Sequence, residues 1–279
     1  MTQKEKAGTL LSLHTSGKLL VLPNIWNPIG ARILQAKGFP AVATASAAVS
    51  ASLGYVDGER INRSTLIDIV TRIARSVDVP VTADIESGYA ETTTALKETI
   101  HAVIESGVVG INLEDGREHG AVLRTIAEQC ERIGAAREAA EQHGVHLVIN
   151  ARVDAFFSGS FPTRAATIEE AVTRARAYAE AGADCIYPIG PGDRETVATL
   201  RHRISAPINI LASADAAPLP ILQSLGVNRV SFGPFIFRSC MRKFVQIAGA
   251  LHKFEGYECF SASTMSAEEM AEFLVHDRE

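Results

Sequence analysis

Short β-branched apolar runs recur along this chain, and each ends in a polar or charged residue before a stretch with helical periodicity begins. Eight runs stand out, at residues 19–23, 41–46, 79–85, 108–114, 146–154, 183–188, 207–211 and 229–234. Their spacing, about 30–40 residues, is that of βαβ units. The third and sixth are almost continuously apolar, as parallel strands covered on both faces are. Residues 28–37, 63–76, 93–106, 123–143, 167–181, 193–202 and 216–225 read as the intervening helices, with Pro28 in a first turn and Gly107, Gly144, Gly182 and Gly226 just past helix ends. Eight strands alternating with helices predict an α/β fold of the (β/α)8 TIM-barrel type, whose chemistry sits at the C-terminal strand ends.

The barrel is expected over residues 1–252, with 235–251 as its last helix. Residues 253–279 read as a linker and an oligomerisation helix, opened by Ser266 and Glu269 at capping-box spacing. That extra helix, 266–275, carries Met270, Phe273 and Leu274, which need a surface to cover them. A neighbouring subunit that exchanges helices would supply one.

The strand ends deliver Asn24, Ser46, Asp84, Glu86, Glu114, Asp115, Arg152 and Asp154 to one rim. Asp84 and Glu86 share a pleat face and precede Gly88, which permits a tight turn. Oxygen-only ligands suit magnesium or manganese rather than zinc. The alternative for Asp84 is a strand-end residue capping the next helix. Glu114 and Asp115 add a second acidic pair, whose repulsion calls for a cation or an arginine. Arg152 offers a fork for a carboxylate or phosphonate, or else an ion pair with Asp154 or Glu114. Ser46 is followed by Ala47 and Ala48, small residues that leave backbone N–H groups open to an anion. Trp26, Tyr55, Tyr89 and Tyr187 lie near strand ends, as pocket walls or as packing.

Composition narrows the class. Of 279 residues, 47% are hydrophobic and 21% charged, with a net charge of −5 and no basic stretch, so a large core is available and neither nucleic acid nor an anionic membrane is an expected partner. Cys130, Cys185, Cys240 and Cys259 are widely spaced, as reduced thiols in the cytoplasm would be. No apolar run reaches the ~18 residues of a membrane span.

Several motifs together resemble a known family. Pro23-Asn24, Thr44-Ala45-Ser46, Ser52-Leu53-Gly54, Asp57-Gly58, the Thr82–Gly88 segment, Gly110-Ile111-Asn112-Leu113-Glu114-Asp115 and Asn150-Ala151-Arg152-Val153-Asp154 are similar to the isocitrate lyase/phosphoenolpyruvate mutase superfamily, in family order, from about Val21 to Gly233. The resemblance implies Mg2+, with Mn2+ as a substitute, held mainly through Asp84, with Asp57, Glu86 and Glu114 acting directly or through water. It implies a small carboxylate substrate bound by Ser46 and the amides of Ala47 and Ala48, with Arg152 at its far anionic end. Asn209 joins the substrate-binding set, and Arg152, Glu114 and Ser46 form the catalytic set. It also implies a homotetramer with exchanged C-terminal helices.

One departure bears on the reaction. Isocitrate and methylisocitrate lyases carry a K-[KR]-C-G-H lid signature after the fourth strand, whereas residues 115–123 here contain neither cysteine nor lysine. Cys130 falls in a helix beyond. Glu118 and His119 are the candidate proton donors in that loop, or simply solvated residues. Three readings follow: a Mg2+-dependent lyase or decarboxylase of a small 2-oxo or 2-hydroxy acid, a phosphonomutase or phosphonopyruvate hydrolase acting on C–P bonds, or a non-catalytic metabolite-binding barrel.

Overall fold

The computed structural model describes residues 1–117, 120–261 and 264–274. The apolar runs fold into short parallel strands: β1 (Leu20–Leu22 and Asn24–Ile25), β2 (Val42–Thr44), β3 (Val81–Asp84), β4 (Gly110–Glu114), β5 (Val148–Val153), β6 (Cys185–Pro188), β7 (Asn209–Leu211) and β8 (Arg229–Ser231). Pro23, which lacks an N–H, splits β1 into two pieces. The first piece pairs with β8, and the second pairs with β2. β2 to β6 then pair in sequence, a bridge between Ile186 and Ile208 joins β6 to β7, and β7 pairs with β8, which closes an eight-stranded barrel.

The helices around it are α1 (Gln3–Thr15), α2 (Pro28–Ala36), α3 (Ser46–Ser52), α4 (Arg63–Arg75), α5 (Thr93–Glu105), α6 (Ile126–Gln142), α7 (Arg164–Glu180), α8 (Arg194–Arg203) and α9 (Leu219–Ser224). Side chains of Asn27, Asn62, Thr92, Thr125, Thr163 and Asp193 cap α2 and α4 to α8, each accepting a first-turn N–H. The core between strands and helices is aliphatic, with Ile73, Leu96, Ile100, Ile111, Leu113, Ile149, Ile186 and Leu200 fully buried. α1 packs across the N-terminal end of the barrel. Gly110 makes this possible, since a Cβ there would lie 2.7 Å from Leu10 Cδ2. Asn228 Nδ2 ties the helix down by donating to His14 O at 3.1 Å.

The C-terminal region departs from expectation. α10 (Phe235–His252) starts against the barrel, where Phe237 meets Trp26 edge-on at 5.1 Å, but the rest of the helix leaves Met241, Phe244 and Val245 exposed. It therefore does not cover the barrel as an eighth wall helix. α11 (Glu258–Ser261) and α12 (Ala267–Ala271) follow, and the Ser266/Glu269 capping box forms as expected. Phe273 is buried in its own chain, where Arg32 of α2 donates from Nε to its carbonyl at 2.6 Å and from Nη2 to that of Leu274 at 3.3 Å. The stripe expected to seek a partner is thus half satisfied within the chain, and the larger uncovered apolar face belongs to α10. Residues 275–279, including the expected end of the last helix, lie outside the described residues. Among the described residues, no helix is long and apolar enough to cross a membrane.

Candidate active site

The C-terminal strand ends open onto a cavity of about 340 Å³. Asp57, Asp84, Glu86, Glu114, Ser46, Ala47 and Arg152 all line it, so closure of the barrel gathers most of the residues singled out in the sequence. Asn24 stitches the rim: its Nδ2 donates to Thr44 O at 2.7 Å, and its Oδ1 accepts from Phe232 N and Gly233 N at 2.7 and 2.9 Å.

Asp84 stands at the end of β3, and its N–H donates to Thr44 Oγ1 at 2.9 Å. Its Oδ2 accepts from Ser46 N at 3.1 Å and Ser46 Oγ at 3.0 Å. The carboxylate is therefore turned across to the start of α3 rather than onto α5, whose cap is Thr92. Glu86, two residues on, has φ 54°, and Tyr89 and Glu59 have φ 53° and 56°. Non-glycine residues in this region are strained, and such strain persists only where surrounding bonds over-determine it. They do so here. Glu86 Oε2 accepts from Glu59 N at 2.7 Å, Glu59 Oε1 accepts from Ser87 Oγ and Tyr89 N at 2.8 Å each, and Tyr89 OH donates to Glu86 Oε1 at 3.2 Å. Burial pushes the Glu86 carboxyl up to about 8, and the charges of Asp57 and Asp84 push the same way.

Arg152 satisfies both of its sequence readings at once. Its Nη1 pairs with Glu114 Oε2 at 2.6 Å, while Nη2 and Nε donate to Asp154 Oδ1 at 2.6 and 2.9 Å. Burial opposes the charge of Arg152, but Asp154 and Glu114 hold its pKa well above the ordinary value. Burial also raises Glu114 well above the usual carboxylate range, against the pull of Arg152. Phe157 lies under the guanidinium, 5.9 Å from its ring centre.

Other candidates are placed elsewhere. Asp115 follows Glu114 but points to the opposite face, as alternation requires. There it accepts from Asp154 N at 2.8 Å, Tyr178 OH at 2.7 Å and Arg174 Nη1 at 3.0 Å, a buried structural network. Ala48 does not reach the cavity, because its turn of α3 packs against Phe237 and Trp26 and its N–H donates to Ala45 O at 3.1 Å. Asn209 is fully buried beneath the floor and donates to Ser231 Oγ at 3.1 Å, so it is a support and not a wall residue. Tyr187 lines the cavity, Tyr89 orients Glu86, Trp26 packs and Tyr55 is exposed. Glu118 and His119 lie outside the described residues, and Gly116–Arg117 pairs antiparallel with Val122–Leu123. Cys130 sits on α6 and donates to Ala177 O at 3.5 Å, away from the cavity.

Sequence reasoning passed over Arg238, Asn112, Ser231 and Phe235, all of which line the cavity. Arg238 brings a second guanidinium to the rim, over the Phe235 ring at 5.9 Å. Its place in the first turns of the helix after β8 is the signal that would have flagged it.

The donor set fits a hard divalent cation. Four carboxylates line one cavity; burial first, and then the charges of neighbouring carboxylates, raise Glu86 and Glu114, and a cation would relieve that repulsion. Among the described residues no three His, Cys, Asp or Glu side chains converge as a closed metal cage. Mg2+ is commonly bound through one or two carboxylates and several waters, and needs no such cage.

A (β/α)8 barrel with its clustered carboxylates and arginines at the C-terminal strand ends has the layout of the TIM-barrel class of enzymes. Within that class, residues 10–252 match the family model described as phosphoenolpyruvate phosphomutase, and the chain belongs to this family, as a lyase or mutase of the phosphoenolpyruvate mutase/isocitrate lyase superfamily. It is 30% identical to a Corynebacterium glutamicum protein assigned as 2-methylisocitrate lyase 2, over 89% of this chain and 80% of that one. A crystal structure from Burkholderia cenocepacia assigned as a phosphonomutase superposes with a TM-score of 0.83 at 36% identity, covering 90% of this chain and 99% of the other. Phosphonopyruvate hydrolase in complex with oxalate and Mg2+ shares the fold, with a TM-score of 0.84 at 24% identity, over 98% and 95% of the two chains.

Proposed function

We propose that this protein is a Mg2+-dependent lyase of a small 2-oxo or 2-hydroxy carboxylic acid, releasing an enolpyruvate-type fragment, with decarboxylation of an oxaloacetate-like dicarboxylate as its leading reaction. The observation that carries this reading is one cavity combining four carboxylates and two guanidinium groups with no cysteine among its lining residues. Cleavage of isocitrate-type substrates calls for an acid to protonate the departing carbanion. Loss of CO2 calls chiefly for stabilisation of the enolate, which tolerates a lid without cysteine.

Asp84 would hold Mg2+, with Asp57, Glu86 and Glu114 acting directly or through water. Mg2+ would supply Lewis-acid stabilisation of charge developing on the 2-oxo oxygen. The oxalate and Mg2+ bound to phosphonopyruvate hydrolase support this pairing by analogy. Ser46 and the first turn of α3 at Ala47 stand beside Asp84 and would take the substrate carboxylate. Arg152 has five N–H groups and uses three on Glu114 and Asp154, which leaves two for the far anionic end. Phe157, Ile189, Leu211 and Phe235 make the remaining wall apolar and limit the water that could quench an enolate. Residence in the cytoplasm and assembly as a homotetramer, through the uncovered face of α10, belong to the same reading.

The test is turnover of a 2-oxo dicarboxylate panel with Mg2+ or Mn2+, following CO2 release and pyruvate formation. Metal-dependent decarboxylation that stops in chelator is expected, and no turnover across the panel would count against the proposal. The alternative, C–P bond chemistry by a phosphonomutase or phosphonopyruvate hydrolase, is favoured by the 36% identity to the Burkholderia protein. Conversion of phosphonopyruvate, seen by phosphorus NMR, would select it.

A further inference from the structure

Beneath the cavity floor lies a charged group that neither the carboxylate cluster nor Arg152 accounts for. Arg229 opens β8 and is 1% exposed, yet among the described residues it forms no ion pair. Its side chain crosses the barrel interior to β4, where Nη2 donates to Asn112 Oδ1 at 3.3 Å. Its Nε and Nη1 have no hydrogen-bond partner among the described residues. Asn112 lines the cavity and is the register neighbour of Asp84, so the guanidinium sits one side-chain layer under the carboxylates.

The groups around Arg229 are neutral. Asn209, its register partner on β7, is an amide, and Asn150 donates to the same Asn112 oxygen at 2.7 Å. Burial holds the Cys185 thiol and the Tyr187 phenol up at about 12 each, and burial together with Arg229 holds His14 down at about 4. A guanidinium keeps its proton even when buried, and a buried unpaired charge is costly unless something nearby benefits from it. The carboxylate whose charge reaches the guanidinium is Asp84.

We infer that Arg229 is a positioning residue, a fixed cation under the floor that tunes the mouth toward an anionic ligand and away from over-tight binding of a bare cation. It touches neither, and acts through Asn112 and across space. The inference rests on the metal-and-carboxylate reading of the mouth.

Removing a positive charge from this place should move two affinities in opposite directions, which a purely structural role cannot do. Calorimetric titrations with Mn2+ alone, then with oxalate on Mn2+-saturated protein, read both. For Arg229→Met, Mn2+ should bind at least about tenfold tighter and oxalate at least about tenfold weaker, the lower bound for a unit charge within about 12 Å at an effective dielectric of about 20. Asn209→Asp keeps the guanidinium but neutralises it from the neighbouring strand, so it should shift both affinities in the Met direction. It also carries the test if Arg229→Met fails to fold. Weakening of both ligands together, or no change in Asn209→Asp, would overturn the inference while leaving the proposed function standing. If the wild-type protein binds neither Mn2+ nor oxalate, the reading of the mouth fails and the inference fails with it.

Discussion

Acid should weaken this fold through a histidine far from the catalytic mouth. His14 lies on α1 under the barrel and is 1% exposed. Its Nδ1 donates to Leu10 O at 2.8 Å, and its Nε2 is buried with no hydrogen-bond partner among the described residues. Burial, and next the charge of Arg229, lower its pKa from 6.5 to about 4. Between those values the unfolded chain takes up a proton that the folded chain refuses, so stability is full above pH 6.5 and falls as pH drops toward 4. A gap of that size, at 1.36 kcal/mol per pH unit, is worth about 3 kcal/mol, most of it already lost at pH 4.5. Urea unfolding at pH 7.5 and 4.5, at fixed protein concentration and followed by Trp26 fluorescence, should show this loss. His14→Leu should lose less over the same interval by about the same amount, because titrations elsewhere are common to both proteins and cancel. An equal loss in the two proteins, or an NMR titration placing folded His14 near 6.5, would refute the reasoning.

Further outcomes are expected for variants at four positions. Asp84→Ala should abolish Mn2+ binding by calorimetry and lower turnover on the order of a thousandfold, with circular dichroism unchanged, since metal stabilisation is worth several kcal/mol. Arg152→Lys should fold but lose about a hundredfold in kcat/KM through misplaced substrate, whereas Arg152→Gln strands Glu114 and Asp154 and should cost about 3–5 kcal/mol in urea unfolding. Gly88→Ala should destabilise by about 1–3 kcal/mol in the same assay, because Gly88 has φ 90° and a Cβ there would collide with Leu96 Cδ1. Phe244→Glu, on the exposed face of α10, should lower the mass seen by light scattering, and an unchanged mass would remove that helix from the assembly.

The strand rhythm was legible because each wall strand is covered on both faces and must read as an apolar run that breaks where it meets the rim. That break is also why Asp84, Glu86, Glu114 and Arg152 read as one mouth from the sequence alone. Two helices of the barrel were not legible. α3 begins without a side-chain cap in a run of small residues, and α1 buries only Ala7, Leu10 and His14 along thirteen residues, so neither carries a strong start signal or a broad apolar stripe. Asp115 was misjudged as a rim residue because the pair Glu114-Asp115 hides its alternation. Strand alternation alone turns the second carboxylate outward, here to Arg174 and Tyr178.

The harder cases are those decided by barrel closure itself. Arg229 and Asn112 are 117 positions apart, and only the pairing of β8 back onto β1 sets one opposite the other. The same closure turns Asn209 from a candidate ligand into a floor support, and carries Arg238 from an unremarked helix onto the rim. Periodicity can say which way a side chain faces, inward or outward, but not how deep it lies along the barrel axis. Depth depends on strand stagger, and stagger is a property of the closed ring. For a site at the mouth of a barrel, depth is what separates a residue that touches substrate from one that acts on it through the floor.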